Sequence, residues 1–493
     1  MKYEYKEKPY DETEPKSIEE YAKKLVGHTF KEISEWKIPH SIQEEMESYG
    51  KKARKGGLGN LIEEKYFGYK ANSDPKPDFP EAGVELKVTP YEKKKNGSLS
   101  AGERLVLTMI SYEQAVEPDF YKSHLWQKCG LILLIYYLRD KRLADNLDYR
   151  IDFAGLFTPP ETDLEIIMKD YELIIEKLKA GKAHELSESD TMYLGACTKG
   201  ASAEKSTVPQ AYYAPEIKAR KRAFCFKTSY MTYVLNNYLF SSKHSEESIV
   251  KDPKKLKDKS FEQYVVERIN KYVGKTDKEL CEMFDEEYSG NKAQWSMLSY
   301  RMLGIKSNKA EEFIKAQIVV KTIRLEENGK MKESISMPSF EFKELVNEEW
   351  EESTLFEYLS ETKFLFVVFK KENGEYTLKG SQIWNMPYTD LNEDVYEGWK
   401  KTKEIVRNGV ELKKEKQKNG VVIKNNLPGS TENRVIHVRP HTSKSYYILE
   451  NGEQIGSGSI SNSSELPDGR RMTKQCFWFN NSYILSCLDK GLL

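Results

Sequence analysis

Apolar and polar residues alternate through Val84-Glu85-Leu86-Lys87-Val88. A period of two predicts a strand, with the aliphatics facing a core and Glu85 and Lys87 projecting together from the other face. Two more strands are expected in ERLVLTMIS and CGLILLIYYL. The second is a continuous apolar run, as suits the centre of a sheet. Elsewhere the spacing is helical. Ile18, Tyr21, Ala22 and Leu25 share one face of SIEEYAKKLVGHTFKEI, with Ser17 as the expected N-cap. GNLIEEKYF and the Ile- and Leu-rich stretch 165–190 also read as helices. KRAFCFKTSYMTYVLNNYLF closes the first half.

A charged stretch, SSKHSEESIVKDPKKLKDKS, reads as a linker, and the pattern then starts again. FEQYVVERINKYVGKTDKELCEMF echoes the opening helical region. WSMLSYRMLGIKSN echoes NLIEEKYFGYKANS, and EEFIKAQIVVKTIRLEENGK echoes PDFPEAGVELKVTPYEKKKNG. MYLGACTKGA is answered by VIHVRPHT, and RAFCFKTSYMTYVL by KQCFWFNNSYILSCL. Each echo is faint, but the blocks keep their order, which is the mark of an internal repeat. In this alignment Asp78 meets Glu312 and Lys87 meets Lys321, whereas Glu85 meets Val319 and Glu63-Glu64 meets Ser299-Tyr300. The expected organisation is two α/β domains of related topology, each a mixed sheet flanked by helices. The first spans 1–240 and the linker 241–259. The second, 260–493, has its acidic cluster dismantled.

Composition adjusts this only slightly. A chain of 493 residues suits two or three domains. With 77 basic and 78 acidic residues the net charge is −1, so bulk charge neither announces nor excludes nucleic acid. The six cysteines are scattered without ligand or redox spacing, which predicts reduced thiols in a cytoplasmic protein. The seven histidines form no metal-binding cluster, an argument against a zinc enzyme. No apolar run has transmembrane length, and no signal peptide is expected.

Candidate chemistry gathers at the start of the alternating strand. Asp78 follows Pro77, and a chain reversal through Glu81-Ala82-Gly83 would bring its carboxylate beside Glu85. Two carboxylates and a lysine at one strand end can hold a divalent metal and a water, the arrangement of metal-dependent phosphodiester hydrolysis. Taken alone, the same three residues would equally well form a surface ion-pair cluster. Basic loops at Lys51 to Lys55, Lys93 to Lys95 and KARKR are candidates for phosphate contact, against a plain solvated surface.

Taken in order, KGGLGNLIE, PDF, GVELK, ERLVL and SHLWQK resemble the MutH superfamily of GATC-specific endonucleases. The tandem layout is similar to its restriction-enzyme branch. The resemblance covers essentially the whole first half and, more loosely, the second. It implies a restriction-endonuclease-like core and Mg²⁺ as cofactor, with Asp78 and Glu85 as ligands and Lys87 orienting or deprotonating the attacking water. Lys128 matches a second active-site lysine. A helix glutamate reaches the metal site in the family. KGxxGxxxE selects Glu63, and counting back from Asp78 selects Glu64; Glu63 is favoured because Gly59-Asn60-Leu61-Ile62 keeps the helical register. Lys55 matches a DNA-contacting loop lysine. Thr198 and Lys199 fall in the base-reading loop, where the nickase has Arg-Pro-Lys and this chain has Cys197-Thr198-Lys199. The second copy has Arg439-Pro440-His441 at that place. Arg220, Arg222 and Lys227 complete the expected DNA-binding set.

The implied activity is type II restriction: cleavage of double-stranded DNA at GATC on the 5′ side of the G. The second copy would bind DNA without cutting and promote transient pairing of two chains. The implied partners are GATC-containing DNA and a cognate methyltransferase, with no membrane. A methyl-directed mismatch-repair nickase and a non-catalytic GATC-binding protein remain as alternatives.

Overall fold

The alternating segment begins the first sheet. In the computed structural model, which describes residues 8–38, 57–70, 76–94, 97–200, 206–240, 246–417 and 420–493, Glu85–Lys93 forms β1. It is followed by β2 (Leu99–Ala101), β3 (Leu105–Met109), β4 (Ile132–Leu138) and β5 (Arg150–Phe157). The order β2-β1-β4-β5 sets the apolar β4 between a parallel β1 and an antiparallel β5. Ile132 through Tyr136 are fully buried there, so the uninterrupted apolar run of the sequence is explained by burial on both faces. A second sheet combines β3 with β6 (Leu194–Thr198) and β9 (Arg222–Phe226) in the order β3-β9-β6. The hairpin of β7 (Thr207–Gln210) and β8 (Ala214–Arg220) leads into β9.

Helices cover these sheets. Ile18, Tyr21, Phe30, Leu61 and Phe67 pack with Phe79, Leu86, Leu133 and Ile135 in one apolar cluster. The opening helix runs Pro15–Lys23 with Glu14 at its N-cap. Ser17 therefore lies inside the helix rather than capping it, because Pro15 is pre-set for the first helical turn. The expected helix after the basic loop is present as Gly57–Asn60, continuing in π geometry over Leu61–Phe67. It stops at Gly68, whose left-handed φ of 73° suits glycine. Lys51, Lys52, Arg54, Lys55 and Lys95 lie outside the described residues.

The chain divides into two units, Met1–Phe261 with Lys309–Gln317, and Glu262–Asn308 with Ile318–Leu493. Residues 246–261 thus belong to the first unit, where Ile249, Val250 and Leu256 are buried, rather than forming the polar linker that the charge pattern suggests. In the second unit, Ile318–Leu325 pairs parallel with Lys363–Glu372, which pairs antiparallel with Glu375–Asn385. This is the sense and order of β1-β4-β5. Ser336–Phe340, Gln475–Phe479 and Ile436–Pro440 likewise repeat the order of β3-β9-β6. The echo even reaches backbone conformation. Gly83 enters β1 at φ 65°, and Gln317, at the matching place, is held at φ 51° despite its side chain.

Candidate active site

The turn expected between Asp78 and Glu85 is closed by the backbone. Phe79 N–H donates to Val84 O at 2.9 Å, and Val84 N–H donates back to Phe79 O at 3.2 Å. Asp78 is thereby laid along the start of β1, where its Oδ2 accepts from Leu86 N–H at 2.9 Å. Strand alternation puts Glu85 and Lys87 on one face. Lys87 Nζ donates to Glu85 Oε1 at 2.7 Å. Glu85 Oε2 accepts from Lys128 Nζ at 2.9 Å, and Lys128 also donates to Lys76 O at 2.5 Å. Lys128 arrives on the helix His124–Cys129, whose N-terminus is fixed by Ser123 Oγ accepting from Trp126 N–H at 3.1 Å. Glu85 is only 2% exposed and Lys128 7%. Glu85 and Lys128 make a buried ion pair, and Lys87 joins it half-buried.

The carboxylates around it are buried and close enough to repel one another. Burial, then the charge of Glu85, pushes the Asp78 carboxyl up to about 6, against the Leu86 N–H bond and the two lysines. Glu63 is pushed up to about 7 by burial and by the charges of Asp78, Glu64 and Glu85, with Lys87 opposing. Glu63 therefore shares the site's field with Asp78, Lys87 and Glu85. Its helix neighbour Glu64 is buried at 3% exposure.

One group in this region attracts no notice in the sequence. Tyr69 follows the Gly68 cap, and its N–H donates to Glu63 O at 3.1 Å. Its hydroxyl is buried and has no hydrogen-bond partner among the described residues. Burial, then the charges of Asp78, Glu63 and Glu85, holds the phenol protonated far above its ordinary range. A tyrosine after a helix reads as core. The only signal was its position directly beyond the glycine that ends the Glu63 helix.

The donor set is all oxygen, the chemistry preferred by Mg²⁺ and Ca²⁺ rather than by zinc. The raised proton affinities of Asp78 and Glu63 come first from burial and then from neighbouring carboxylates, and a bound cation would stabilise their charged forms against both. Among the described residues no three His, Cys, Asp or Glu side chains already close into a cation cluster. Both Glu85 oxygens are engaged by lysines, yet each retains a further lone pair. The residues present thus fit a hard divalent cation by chemistry.

The expected DNA contacts divide. Thr198 and Lys199 are half-buried at the end of β6, where Lys199 N–H donates to Lys221 O at 2.8 Å. In KARKR, Lys218 and Lys221 are exposed and Arg220 half-buried. Arg222 and Lys227 are different: they are 2% and 1% exposed. Arg222 donates to Ala196 O at 2.6 Å and to Leu186 O, and Lys227 Nζ donates to Thr191 O at 2.5 Å. Their cationic heads satisfy buried carbonyls, so a structural role replaces the DNA contact expected of them.

In the second unit, strand pairing sets Arg439 opposite Cys476 and Pro440 opposite Gln475, as Cys197 faces Ala223 and Thr198 faces Arg222 in the first. Arg439 is exposed and its guanidinium lies 4.7 Å from the Trp478 ring centre. Exposed His441 has Nδ1 3.4 Å from Cys476 Sγ. At the position of Glu85 stands Val319, facing Phe364. Glu312, at the position of Asp78, belongs to the first unit, where its carboxylate accepts from Ile249 N–H at 3.0 Å, Val250 N–H at 2.8 Å and Ser248 Oγ at 2.8 Å. The acid at the position of Asp78 here serves as a structural cap.

A family model for the DNA mismatch repair enzyme MutH matches residues 67–170 and 303–394, one segment in each half of the chain. The chain is 38% identical over 458 residues to the type II restriction enzyme Sau3AI of Staphylococcus aureus, covering 88% of this chain and 92% of the relative. It is 25% identical over 227 residues to the DNA mismatch repair protein MutH of Serratia proteamaculans, and 28% over 191 residues to that of Shewanella baltica. Those matches cover 45% and 38% of this chain, but 92% and 80% of the relatives. With similarity running through nearly all of both chains in the first comparison, this chain belongs to the MutH/Sau3AI-like restriction-enzyme family of nucleases.

Proposed function

We propose that the first unit cuts double-stranded DNA at GATC, on the 5′ side of the G, as a Mg²⁺-dependent type II restriction endonuclease. The observation that carries this reading is the buried Glu85 carboxylate, fixed between Lys87 and Lys128 beside Asp78. Asp78 and Glu85, with Glu63, are the residues to hold Mg²⁺, which supplies a water of lowered pKa and positive charge beside the phosphate. Lys128 holds Glu85 in place. Lys87 offers its ammonium to the attacking water and to the charge that grows on the phosphate oxygens. Lys199 reads guanine from the loop after β6, a contact suited to the O6 and N7 acceptors of the major groove.

The second unit lacks the Glu85 equivalent but presents Arg439 and His441 at the end of a matching strand. We assign it a non-cleaving DNA-binding role. One centre per chain does not cut both strands in a single event, so either two chains meet on the site or one chain nicks twice; the second unit, by holding another GATC, would promote the meeting of two chains. A cognate methyltransferase completes such a system in the cytoplasm.

The test is a digest of GATC-containing plasmid with and without Mg²⁺, by the wild type and by Glu85→Ala. Fragments ending at GATC with the wild type alone are expected. Nicks confined to one strand of hemimethylated DNA would instead make it a repair nickase. Retarded GATC duplex without cleavage would make it a binding protein.

A further inference from the structure

The Tyr69 hydroxyl is a buried polar group without a hydrogen-bond partner among the described residues. Its position is not loose. The ring meets Phe79 edge-on at 5.5 Å between centres and lies tilted against Phe67 at 6.5 Å. The backbone N–H is tied to Glu63 O at 3.1 Å. The core therefore fixes the phenol from the ring side, with its hydroxyl buried and unpartnered among the described residues. Asp78, Glu63 and Glu85 are the acids whose charges act on it.

A buried hydroxyl that bonds to nothing is unfavourable, and phenylalanine would fill the same core position without that cost. Here a donor whose backbone is tied to the Glu63 turn, and whose ring packs on the neighbour of Asp78, hydrogen-bonds no acceptor among the described residues. What suits such a gap is a small molecule that accepts from the phenol and is itself held by the charge the carboxylates attract. Water in the shell of a divalent cation has those properties, and Mg²⁺ keeps several of its waters when protein-bound. Outer-shell partners of this kind orient the inner ones and tune affinity.

We propose that Tyr69 is an outer-shell positioning residue, its hydroxyl hydrogen-bonded to a water carried by the divalent cation at Asp78, Glu85 and Glu63. The inference rests on the cation site proposed above. It explains why a polar aromatic stands next to the helix-ending Gly68, and it ties the Glu63 helix to the metal through a side chain as well as through Glu63 itself.

The experiment is calorimetric titration of the full chain with Mg²⁺ alone and with Ca²⁺ alone, for wild type, Tyr69→Phe and Glu85→Gln, beside thermal melts in chelator. Tyr69→Phe should bind both cations roughly tenfold more weakly. Its cation-free melting temperature should be unchanged or higher, because the unpartnered oxygen is gone. A merely structural tyrosine gives the opposite pattern: unchanged cation affinity, or a cation-free melt well below wild type, and either result overturns the inference. If wild type binds, Glu85→Gln does not, and Tyr69→Phe binds like wild type, the cation site stands and only the role of Tyr69 falls. If wild type binds no cation, the site reading falls, and this inference with it.

Discussion

Lys128 Nζ lies 2.9 Å from Glu85 Oε2 while also donating to Lys76 O, so one ammonium pins the strand carboxylate and the chain before Asp78 together. Removing it frees Glu85 on one side and leaves a 2%-exposed carboxylate with Lys87 as its remaining ion-pair partner. Lys128→Ala should cut single-turnover cleavage by about 10²–10³-fold, the scale on which a preorganised charged contact is lost. It should also lower the melting temperature. Lys128→Met, which keeps the stem, should recover part of the stability and none of the rate. Equal recovery of both would show that Lys128 only fills space.

A second expectation concerns pH. Burial and neighbouring charges push Glu63 up to about 7 and Asp78 up to about 6 in the fold, above the ordinary carboxyl values of 4.5 and 3.8. Between those limits the folded unit binds more protons than the unfolded chain. The stability these groups contribute is therefore complete below about pH 4 and is lost as pH rises through about 6 to 7. In chelator, the wild-type melt should lose this contribution between about pH 5 and about pH 8, and Glu63→Gln should flatten much of that dependence. Added Mg²⁺ should raise the wild-type melt most at the alkaline end, where the carboxylates are charged. A slope identical in wild type and Glu63→Gln would remove Glu63 from the cluster.

The placement of Glu85 and Lys87 on one face was legible because alternation in a strand is a local property, and that of Asp78 because Pro77 and the Glu81-Ala82-Gly83 reversal mark a turn. Lys128 was not legible from its surroundings. Nothing in SHLWQK marks one lysine as buried, and only the family motif pointed to it. Glu63 and Glu64 are adjacent in a segment wound as a π-helix, so ordinary helical register could not separate them. The basic run KARKR hid the opposite fates of Lys221 and Arg222, since it straddles the junction between the largely exposed strand β8 and the fully buried strand β9. The most distant miss was Lys309–Gln317. It sits in the second copy by sequence order but packs in the first unit, because its buried charges find their partners there.

Arg222 and Lys199 should separate stability from DNA affinity. Arg222→Ala leaves the carbonyls of Ala196 and Leu186 without their donor, at a cost of about 2–3 kcal/mol in denaturant unfolding. Lys199→Ala should leave unfolding unchanged within about 0.5 kcal/mol. It should weaken GATC duplex binding and reduce the slope of log affinity against log salt if it touches phosphate, or relax base preference at unchanged slope if it reads guanine. A large unfolding effect of Lys199→Ala would instead return that lysine to the scaffold.

The isolated first half, residues 1–260, is the obvious fragment with which to look for cleavage without the second unit, and it should fold poorly. Lys315 Nζ lies 2.6 Å from Asp163 Oδ1, with the two side chains 2% and 1% exposed. Asp163 Oδ2 also accepts from Tyr230 at 3.1 Å and Tyr238 at 3.0 Å. Truncation at 260 leaves this carboxylate buried without its cation and strips the Glu312 cap from Ile249 and Val250. Loss of one partner from such a pair costs about 3–5 kcal/mol, a large part of a domain's stability. Lys315→Ala in the full chain should show a loss of that size by chemical denaturation, whereas Asp163→Asn with Lys315→Met, which keeps an acceptor for Tyr230 and Tyr238, should restore part of it. The role of the second unit is therefore better tested by Arg439→Ala in the intact chain. Unchanged unfolding with weaker binding to DNA carrying two GATC sites would place the effect in recognition, and an effect on unfolding alone would place Arg439 with Trp478 in the fold.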